Sequence, residues 1–492
     1  MNNPTVHSLE SKLELFLDEH LLESLDEGAT LRLHHPTPRD DAFVTDESWE
    51  GNMCGYFTVI KDGDRYMMYY RTGHCVLDNK ENQPDHFFLT VALATSDDGI
   101  HWEKPNLGLF EHEGSKQNNI VWVGAGEKLK GVHGFAPFID QTEPEGSPTR
   151  FKALGAARSA FQNGLYAMSS PDGIHWSLMQ EDPVLDGSVA HFDSQNLAFW
   201  DEESEVYRIY FRNYGGGNYF EGGQRGIDTA TSKDFIHWSE NKPLNWVNSP
   251  DEQLYTNQVT PYYRAPHIFL GFPMRYIEYP WSPSIEALPE LEHRKIRAAV
   301  KPRYGSALTD GLFMSSRDGT TFNRWSEAFI RPGPQLEGNW AYGDNSQSWG
   351  LHETPSSIPG APPEISFYVI ENYWRDDATI LRRHTIRQDG FVSLNAPLSG
   401  GEVITKPLTF TGSKLQLNFS TSAAGSVQVE IQDIDGKPLD GYRLGQCHDV
   451  IGDEIERTVS WEQGSDVSAI AGQSIRLRFI LKDADLYAMR FC

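Results

Sequence analysis

Thr95–Trp102 reads TSDDGIHW, and the same phrase returns at Ser169–Trp176 as SSPDGIHW. Two looser copies follow: Thr231–Trp238 (TSKDFIHW) lacks the glycine, and Ser315–Trp325 (SSRDGTTFNRW) reaches its tryptophan after an insertion. Successive tryptophans lie 74, 62 and 87 residues apart. A recurrence of this size predicts one four-stranded antiparallel unit per copy, as in the blade of a β-propeller.

The repeated phrase has the composition of a hairpin turn. Ser and Asp side chains accept hydrogen bonds from backbone N–H groups two residues further on, and Gly supplies a positive φ. The Trp that follows caps the next strand with apolar surface. We therefore interpret these motifs as structural, although they are rich in Asp and His.

The strand pattern around the turns predicts an all-β protein with a five-bladed propeller. Tyr56–Ile60, Tyr66–Tyr70 and Phe87–Thr95 read as three strands of one blade, and the signature turn leads to the fourth. A fifth blade near Ile365–Ile386 carries Gln-Asp-Gly-Phe in place of the signature turn. We expect an N-terminal extension (1–45) packing on or closing the propeller, the propeller itself (46–398) and a C-terminal antiparallel β-sandwich (399–492).

Within the N-terminal extension, the alternation at Leu31–Leu33 suggests a strand that closes the ring against the last blade. Leu13–Leu25 fits either a short helix or an edge strand. The sandwich is predicted from short alternating strands such as Leu415–Phe419 and Val427–Ile431. It is interpreted first as packing support, with a carbohydrate-binding module as the alternative.

Composition excludes several classes of partner. The chain has 42 Lys and Arg against 69 Asp and Glu, a formal charge of −27, which argues against nucleic acid or an anionic membrane surface. Four cysteines in 492 residues form no disulfide framework and no metal-ligand spacing. No basic start followed by an apolar stretch occurs, so the expected location is the cytoplasm, or outside it if a leader was removed. High aromatic content suits surfaces that stack on sugar rings.

Connectivity separates two faces of the propeller. The start of the innermost strand and the end of the second strand of each blade lie on one edge, opposite the signature turns. Because the innermost strands line the axis, the side chains at these positions should converge in a polar funnel. Three carboxylates there are candidate catalytic groups: Asp193, Glu50 and Glu371. Candidate substrate-binding residues are Trp49, Arg71, His133, Arg158, Arg212, Asn257, Arg275 and Asp344.

Paired carboxylates are the groups that glycoside hydrolysis needs, one to protonate the leaving oxygen and one as nucleophile or base. An acid facing an arginine is often only a structural ion pair, and that reading stays open for each candidate. Arginines that face solvent would instead bind a carboxylated or sulfated sugar. Two long segments, Asn213–Gly223 and Tyr276–Tyr304, are predicted as loops on this face, the second as a lid or oligomer contact.

With its turn motifs and the stretch Ile60–Tyr70, the chain resembles the five-bladed propeller glycoside hydrolases, such as the arabinanase and β-xylosidase family 43 and the invertase and levanase family 32. The resemblance implies acids at the start of the first blade and in the middle blades, positions that Glu50 and Asp193 match. Trp49–Asn52 stands where an invertase-like protein has Asn-Asp-Pro-Asn-Gly, which argues against fructose specificity.

We hypothesise that the protein is an exo-acting glycoside hydrolase that needs no cofactor. A structural calcium ion in the propeller channel is a further option, for which the sequence gives no support. The partner is a carbohydrate, and a homo-oligomer is conceivable. Two alternatives remain: a noncatalytic propeller that binds an anionic glycan, and a lyase acting on uronic acids with a Tyr or His base.

Overall fold

A computed structural model describes residues 6–26, 28–76, 85–125, 129–130, 133–156, 164–190, 192–215, 223–375 and 378–492. Five antiparallel sheets form the propeller, which confirms the predicted five blades. Hydrophobic clusters fill the spaces between blades 1 and 2, between blades 2, 3 and 4, between blades 4 and 5, and between blades 5 and 1. The blades therefore form a closed ring around one axis.

Each blade has four strands, numbered here from the axis outward. They are Gly55–Asp62, Arg65–Val76, Asp85–Ser96 and Ile120–Trp122 in blade 1; His133–Ile139, Phe151–Ala156, Leu165–Ser170 and Ser177–Leu178 in blade 2; Leu197–Asp201, Val206–Gly215, Gln224–Ser232 and Lys242–Pro243 in blade 3; Thr260–Tyr262, Ala265–Gly271, Met314–Ser316 and Thr321–Arg324 in blade 4; His352–Thr354, Glu364–Glu371, Ile380–Arg387 and Thr37–Val44 in blade 5. Additional strands are Asn245–Val247 on the edge of blade 4, the hairpin Met274–Glu278 with Ala307–Gly311, and the pair Gly124–Ala125 with Leu129–Lys130.

The strand that closes the ring comes from the N-terminal region. Thr37–Val44 pairs antiparallel with Ile380–Arg387 and becomes the outermost strand of blade 5. The sequence interpretation assigned this role to Leu31–Leu33, which instead lies in Thr30–Leu33 and pairs with Val392–Ala396 outside the propeller. Leu31–Leu33 alternates as expected, but alternation does not specify which sheet a strand joins.

The rest of the N-terminal region joins the C-terminal region in one ten-stranded sheet around a single hydrophobic core. Leu13–Leu25, which fitted helix or strand, contains strands. The ten strands are His7–Glu10, Glu14–Leu15, Leu22–Leu25, Thr30–Leu33, Val392–Ala396, Gly401–Thr405, Leu408–Phe410, Leu415–Asp433, Asp453–Thr458 and Ile475–Phe491. Residues from both ends of the chain thus form one body.

The segment predicted as a long loop, Tyr276–Tyr304, contains helices. Pro283–Glu286, Leu291–Val300 and Pro302–Ser306 are helical, and two 3-10 turns, Leu444–Gln446 and Ser468–Ile470, lie in the C-terminal sheet region. Within the described part of the chain, no helix has the length and apolar character needed to cross a bilayer.

The signature turns are structural, as their composition predicted. Asp172 Oδ1 accepts hydrogen bonds from the backbone N–H groups of Ile174 (2.9 Å) and His175 (2.8 Å), and its Oδ2 lies 2.7 Å from the His175 ring. Burial tends to raise the pKa of Asp172, but these bonds lower it to about 2. Asp98 and Asp234 repeat the arrangement.

The turns also join neighbouring blades. The Tyr69 hydroxyl of blade 1 donates to the Gly173 carbonyl in the turn of blade 2 at 2.8 Å, and the Tyr210 hydroxyl of blade 3 donates to Gly319 of blade 4 at 2.7 Å. Tyr368 of blade 5 makes the same contact with Gly99 of blade 1. A second-strand tyrosine therefore locks each of these turns onto the preceding blade.

Candidate functional site

Buried amides close the propeller axis between its two faces. Gln195 Nε2 donates to Thr58 Oγ1 at 2.7 Å and to the Tyr56 carbonyl at 3.1 Å, while Gln258 Nε2 donates to Gln195 Oε1 at 2.7 Å. We call the opening on the side of the inner-strand starts the front funnel; its cavity is lined by Gly55, Tyr56, Arg71, Tyr255, Thr256, Met274, Tyr342, Gly343, Ser346, Ile370 and Tyr373. The front funnel is therefore a dead end at the level of these amides.

The backbone is unusual where the inner strands begin. Tyr56, Gln258 and Asn345 have positive φ values of 54°, 42° and 67°, and Gly134 occupies the matching place in blade 2 with φ 69°. A bulky residue at positive φ is a conformational outlier, and such residues cluster at functional sites. Gly134 is also required sterically, because a Cβ there would lie 2.4 Å from the Ser194 carbonyl oxygen. These kinks turn the chain toward the axis.

Asp193 is connected to the wall of the front funnel through Tyr214 and Arg212, whose guanidinium packs on the Tyr255 ring. It precedes the inner strand of blade 3, its side chain is part-exposed, and its Oδ2 accepts a hydrogen bond from the Tyr214 hydroxyl at 3.4 Å. Burial raises the pKa of Tyr214, so that this hydroxyl remains a donor. Asp193 also interacts electrostatically with Arg212, Tyr56 and Lys301. Asp193 forms no salt bridge within 4.0 Å with any of the described residues.

Arg212 comes from the second strand of the same blade and is 2% exposed. Its Nη1 donates to the Tyr214 hydroxyl at 3.2 Å, its Nη2 donates to the Tyr255 carbonyl, and its guanidinium lies 4.5 Å from the Tyr255 ring centroid. No carboxylate of the described residues pairs with it within 4.0 Å. Arg212 and Asp193 thus contact the same tyrosine from two sides.

Arg71 and His133 meet at the front funnel, as the blade register predicted. Arg71 Nη1 lies 3.1 Å from His133 Nε2, and Arg71 Nη2 donates to the Met53 carbonyl at 2.9 Å and the Tyr373 hydroxyl at 3.0 Å. The Arg71 guanidinium lies 4.6 Å from the Tyr56 ring centroid. Arg71 is 3% exposed and, in the described part of the chain, has only neutral hydrogen-bond partners.

The helical insertion brings another cation to the funnel. Lys301 lies between the last two helices, half-buried, with its ammonium 5.7 Å from the Tyr304 ring centroid. Burial lowers the pKa of Lys301, Arg303 adds to this effect, and the Asp193 carboxylate opposes it. Tyr304 stacks on Tyr342 of the funnel lining with ring centroids 5.7 Å apart, so Lys301 lies beside the funnel wall.

Ion pairs hold the insertion against blade 5. Arg375 forms paired hydrogen bonds to Glu290 (2.7 Å and 2.7 Å) and to Asp344 (3.0 Å and 3.0 Å). Glu290 precedes the helix Leu291–Val300, and Asp344 lies at the start of the inner strand region of blade 5. Asp344, a predicted substrate-binding residue, is fully buried and acts as a structural anchor.

Glu50 does not reach the front funnel, contrary to its prediction as a catalytic residue. It is 0% exposed and accepts hydrogen bonds from the Tyr70 hydroxyl (2.5 Å), Lys104 Nζ (2.8 Å) and the Glu47 backbone (2.9 Å). Burial raises the pKa of Glu50, and the bonds from Lys104 and Tyr70 act against that rise. The side chain is turned away from the axis into an ion pair.

Glu371 also forms a structural ion pair. Its two oxygens accept hydrogen bonds from Arg382 Nε (2.8 Å) and Nη2 (2.9 Å), on the neighbouring strand of blade 5. Arg382 also pairs with Asp41 of the ring-closing strand at 2.9 Å. Glu371 therefore fastens the ring closure, and the structure does not support its predicted catalytic role.

Three further predicted binding residues serve local structure. Arg275 pairs with Asp310 at 2.6 Å and with Glu252 at 3.1 Å. Asn257 is 1% exposed and forms hydrogen bonds with backbone groups. Trp49 donates a hydrogen bond to Asn119 Oδ1 at 2.8 Å. Arg158 lies outside the described residues. Of the predicted set, the front funnel gathers Asp193, Arg71, His133 and Arg212.

Sequence reasoning missed the aromatic wall and three cations, one from blade 3 and two from the helical insertion. The tyrosines at the site are Tyr56, Tyr214, Tyr255, Tyr342 and Tyr373, and the cations are Arg225, Lys301 and Arg303. Tyr255 and Tyr342 share a hydroxyl hydrogen bond of 2.9 Å, and the Arg225 guanidinium lies 4.1 Å from the Tyr276 ring centroid. For Tyr214 a signal was available, because it follows Arg212 by two residues at the end of a second strand and therefore shares its face of the sheet. The described residues contain no group of three His, Cys, Asp or Glu that could hold a metal ion.

No family model matches this chain, and no curated protein matches it. Solved structures to which it is similar include a glycoside hydrolase (13% identity, 72% of this chain and 92% of that chain, TM-score 0.46). A second is a fructofuranosidase from Schwanniomyces occidentalis complexed with fructosylnystose, with 11% identity, coverage of 91% of this chain and 96% of that chain, and a TM-score of 0.40. A third is an N-acetylgalactosamine deacetylase from F. plautii, with 13% identity, coverage of 72% of this chain and 94% of that chain, and a TM-score of 0.42. Because all three TM-scores lie below 0.5, these similarities do not assign a function to the site.

Proposed function

We propose that this protein is a glycoside hydrolase that acts in the front funnel with Asp193 as its catalytic carboxylate. One observation carries the proposal: of the four acids predicted for this face, Asp193 alone is part-exposed at the funnel and without an ion pair among the described residues. Glu50, Glu371 and Asp344 are each held by a cation. A carboxylate available to substrate is one of the two groups that glycosidic bond cleavage ordinarily requires.

The surroundings of Asp193 suit a role as nucleophile, base or charge stabiliser. Arg212 and Lys301 face its charge, and the Tyr214 hydroxyl fixes the position of one carboxylate oxygen. Tyrosine occurs as the nucleophile in some glycosidases that depart from the two-carboxylate scheme. Tyr214 is therefore the group to test together with Asp193.

Exo action is part of the proposal because the funnel ends at the buried amides of Gln195 and Gln258. A blind funnel accepts the terminal sugar of a chain, whereas binding along the middle of a polysaccharide needs an open groove. The wall of Tyr56, Tyr255 and Tyr342 offers ring faces and hydroxyls for a sugar.

The deciding experiment compares wild type with Asp193→Asn on a panel of oligosaccharides, with released sugar as the readout. We expect Asp193→Asn to lower turnover by about 10²- to 10⁴-fold while the melting temperature stays close to that of wild type. Glu202→Gln, on the opposite face, is the matched control and should keep full activity. Glycan binding without release by the wild type would instead favour the noncatalytic binding propeller.

A further inference from the structure

The front funnel holds buried arginines that form no ion pair within 4.0 Å with any described carboxylate. Arg71 and Arg212 are 3% and 2% exposed, and their hydrogen bonds go to carbonyl oxygens, tyrosine hydroxyls and the His133 ring. A buried cation without a charged partner is costly, and proteins normally pair it. Elsewhere in this chain Arg324 and Arg375 are buried with carboxylate partners, whereas Arg294 and Arg297 are buried with carbonyl oxygens as acceptors, so the feature that sets Arg71 apart is that it lines a cavity.

The two arginines share one neighbourhood. The Arg71 guanidinium lies 4.6 Å from the Tyr56 ring centroid and the Arg212 guanidinium 4.5 Å from the Tyr255 ring centroid, and both rings line the front funnel. The Arg71 Nε has no hydrogen-bond partner, although it is buried. The Arg71 side chain lines the funnel cavity together with Tyr255 and Ser346. Part of its hydrogen-bonding capacity is therefore unused in the protein alone.

Lys301 adds a third cation from a different element. Its ammonium has no hydrogen bond or ion pair within the described residues, and its nearby carboxylate is Asp193. Holding Lys301 here depends on the Glu290–Arg375–Asp344 ion pairs, which fix the insertion to blade 5. The chain thus brings cations from blades 1 and 3 and the insertion to one funnel, despite a net charge of −27.

We propose that the front funnel recognises a sugar carrying an anionic oxyacid group, a carboxylate or a sulfate, bound by Arg71, Arg212 and Lys301. Guanidinium groups bind such oxyanions through two parallel N–H···O bonds, and charge-assisted bonds are about twice as strong as neutral ones. An anion would add counter-charge to three cations that have the single Asp193 carboxylate near them. This inference rests on the proposed function, since it names the class of sugar on which the site acts.

The test uses two matched pairs of saccharides, trigalacturonic acid with galactotriose and galactose 6-sulfate with galactose, titrated calorimetrically into the wild-type protein at low and high salt. We expect at least one anionic sugar to bind more tightly than its neutral counterpart and to lose affinity as salt rises. Preference for trigalacturonic acid identifies a carboxylate, and preference for galactose 6-sulfate identifies a sulfate.

Lys301→Met tests the site with little risk to folding, because the Lys301 ammonium forms no hydrogen bond with the described residues. It should weaken binding of the anionic sugar by about 10-fold, the loss of one charge-assisted bond, and leave galactotriose unchanged. Lys61→Met, an exposed lysine at the opposite axial opening, is the matched control and should change neither. Arg212→Met should weaken anion binding by about 10- to 100-fold, with melting curves to show that it folds.

The outcomes separate the two proposals. Equal binding of charged and neutral sugars, no binding of either anionic sugar at millimolar concentration, or equal effects of Lys301→Met and Lys61→Met would overturn the anionic subsite. Asp193-dependent release from neutral glycans alone would overturn it while hydrolysis stands. Tight, salt-sensitive binding of an anionic sugar, with no release from any glycan, would support the subsite and refute hydrolysis.

Discussion

The Tyr214 hydroxyl donates to Asp193 Oδ2 at 3.4 Å and accepts from Arg212 Nη1 at 3.2 Å, so that one phenol links the funnel's carboxylate to a buried guanidinium. All three residues come from blade 3, two of them from its second strand. The phenol positions both charged groups relative to each other. A substitution at Tyr214 can therefore distinguish a residue that positions Asp193 from a residue that binds the substrate.

Tyr214→Phe removes this link while keeping the ring. We expect kcat to fall by about 10-fold, the value of a hydrogen bond to a charged group, with a smaller change in KM. Steady-state kinetics on the oligosaccharide that the wild type cleaves best measures both. A rise in KM with unchanged kcat would show that Tyr214 binds substrate and does not position Asp193.

Glu50→Gln and Glu371→Gln separate structural acids from catalytic ones. Glu50→Gln leaves Lys104 paired with the exposed Asp46 alone and should lower the free energy of unfolding by about 2 kcal/mol, the value of a hydrogen bond to a charged group. Glu371→Gln loses a half-buried pair with Arg382 and should cost about 1 kcal/mol. Urea unfolding measures the cost, and turnover per folded molecule should match wild type. A large loss of turnover in either stable variant would restore that acid to the catalytic set.

The Glu290–Arg375 pair makes stability depend on pH. Burial tends to raise the pKa of Glu290, but hydrogen bonds from Arg375 and the Gly338 backbone lower it from 4.5 to about 2. Since the folded pKa is depressed, the stabilisation is complete above pH 4.5 and disappears as pH falls toward 2. Its upper value is about 3 kcal/mol.

Glu290→Gln should therefore be less stable than wild type at pH 6, and the difference should shrink below pH 4.5. Urea midpoints of both proteins between pH 2.5 and 6 provide the measurement, where comparing the two removes the contribution of other carboxylates. A constant difference across this range would contradict the assignment. The variant should also bind anionic sugars more weakly, because the insertion that carries Lys301 is less firmly held.

Asp172→Ala tests the signature turn as a structural device. The change removes acceptors for the backbone N–H groups of Ile174 and His175, and should lower the free energy of unfolding by about 1–3 kcal/mol. Glu181→Ala, an exposed neighbour, should stay within about 0.5 kcal/mol of wild type. Activity per folded molecule should be unchanged in both, since the turn lies on the face opposite Asp193. Loss of activity without loss of stability would disagree with this placement.

The repeated turn was sufficient to predict the number of blades and the face on which Asp193 lies. The same register brought Arg71, His133 and Arg212 together, because antiparallel pairing sets which strand ends share an edge. Register does not set the partner of a side chain. Four of the predicted residues occupy the expected edge, but each forms an ion pair there: Glu50 with Lys104, Glu371 with Arg382, Asp344 with Arg375 and Arg275 with Asp310.

The missing parts of the site come from residues whose placement depends on tertiary packing. Lys301 sits in an insertion that the sequence suggested as a loop, and only its helices and the Arg375 ion pairs direct it to the axis. Tyr56 faces the funnel because a positive φ and a bulge rotate the start of its strand. Neither the rotation nor the ion-pair anchor has a local sequence signature.

The ring-closing strand has a consequence for the order of events during synthesis. Thr45 bonds to Thr379, 334 residues further along the chain, next to the strands that complete blade 5. Until the ribosome has made that partner, Thr37–Val44 has an unpaired edge, which is open to wrong pairing. Such distant closure also slows folding. A nascent chain that stops before blade 5 would therefore hold four blades with two open ends, a form that chaperones and proteases can recognise.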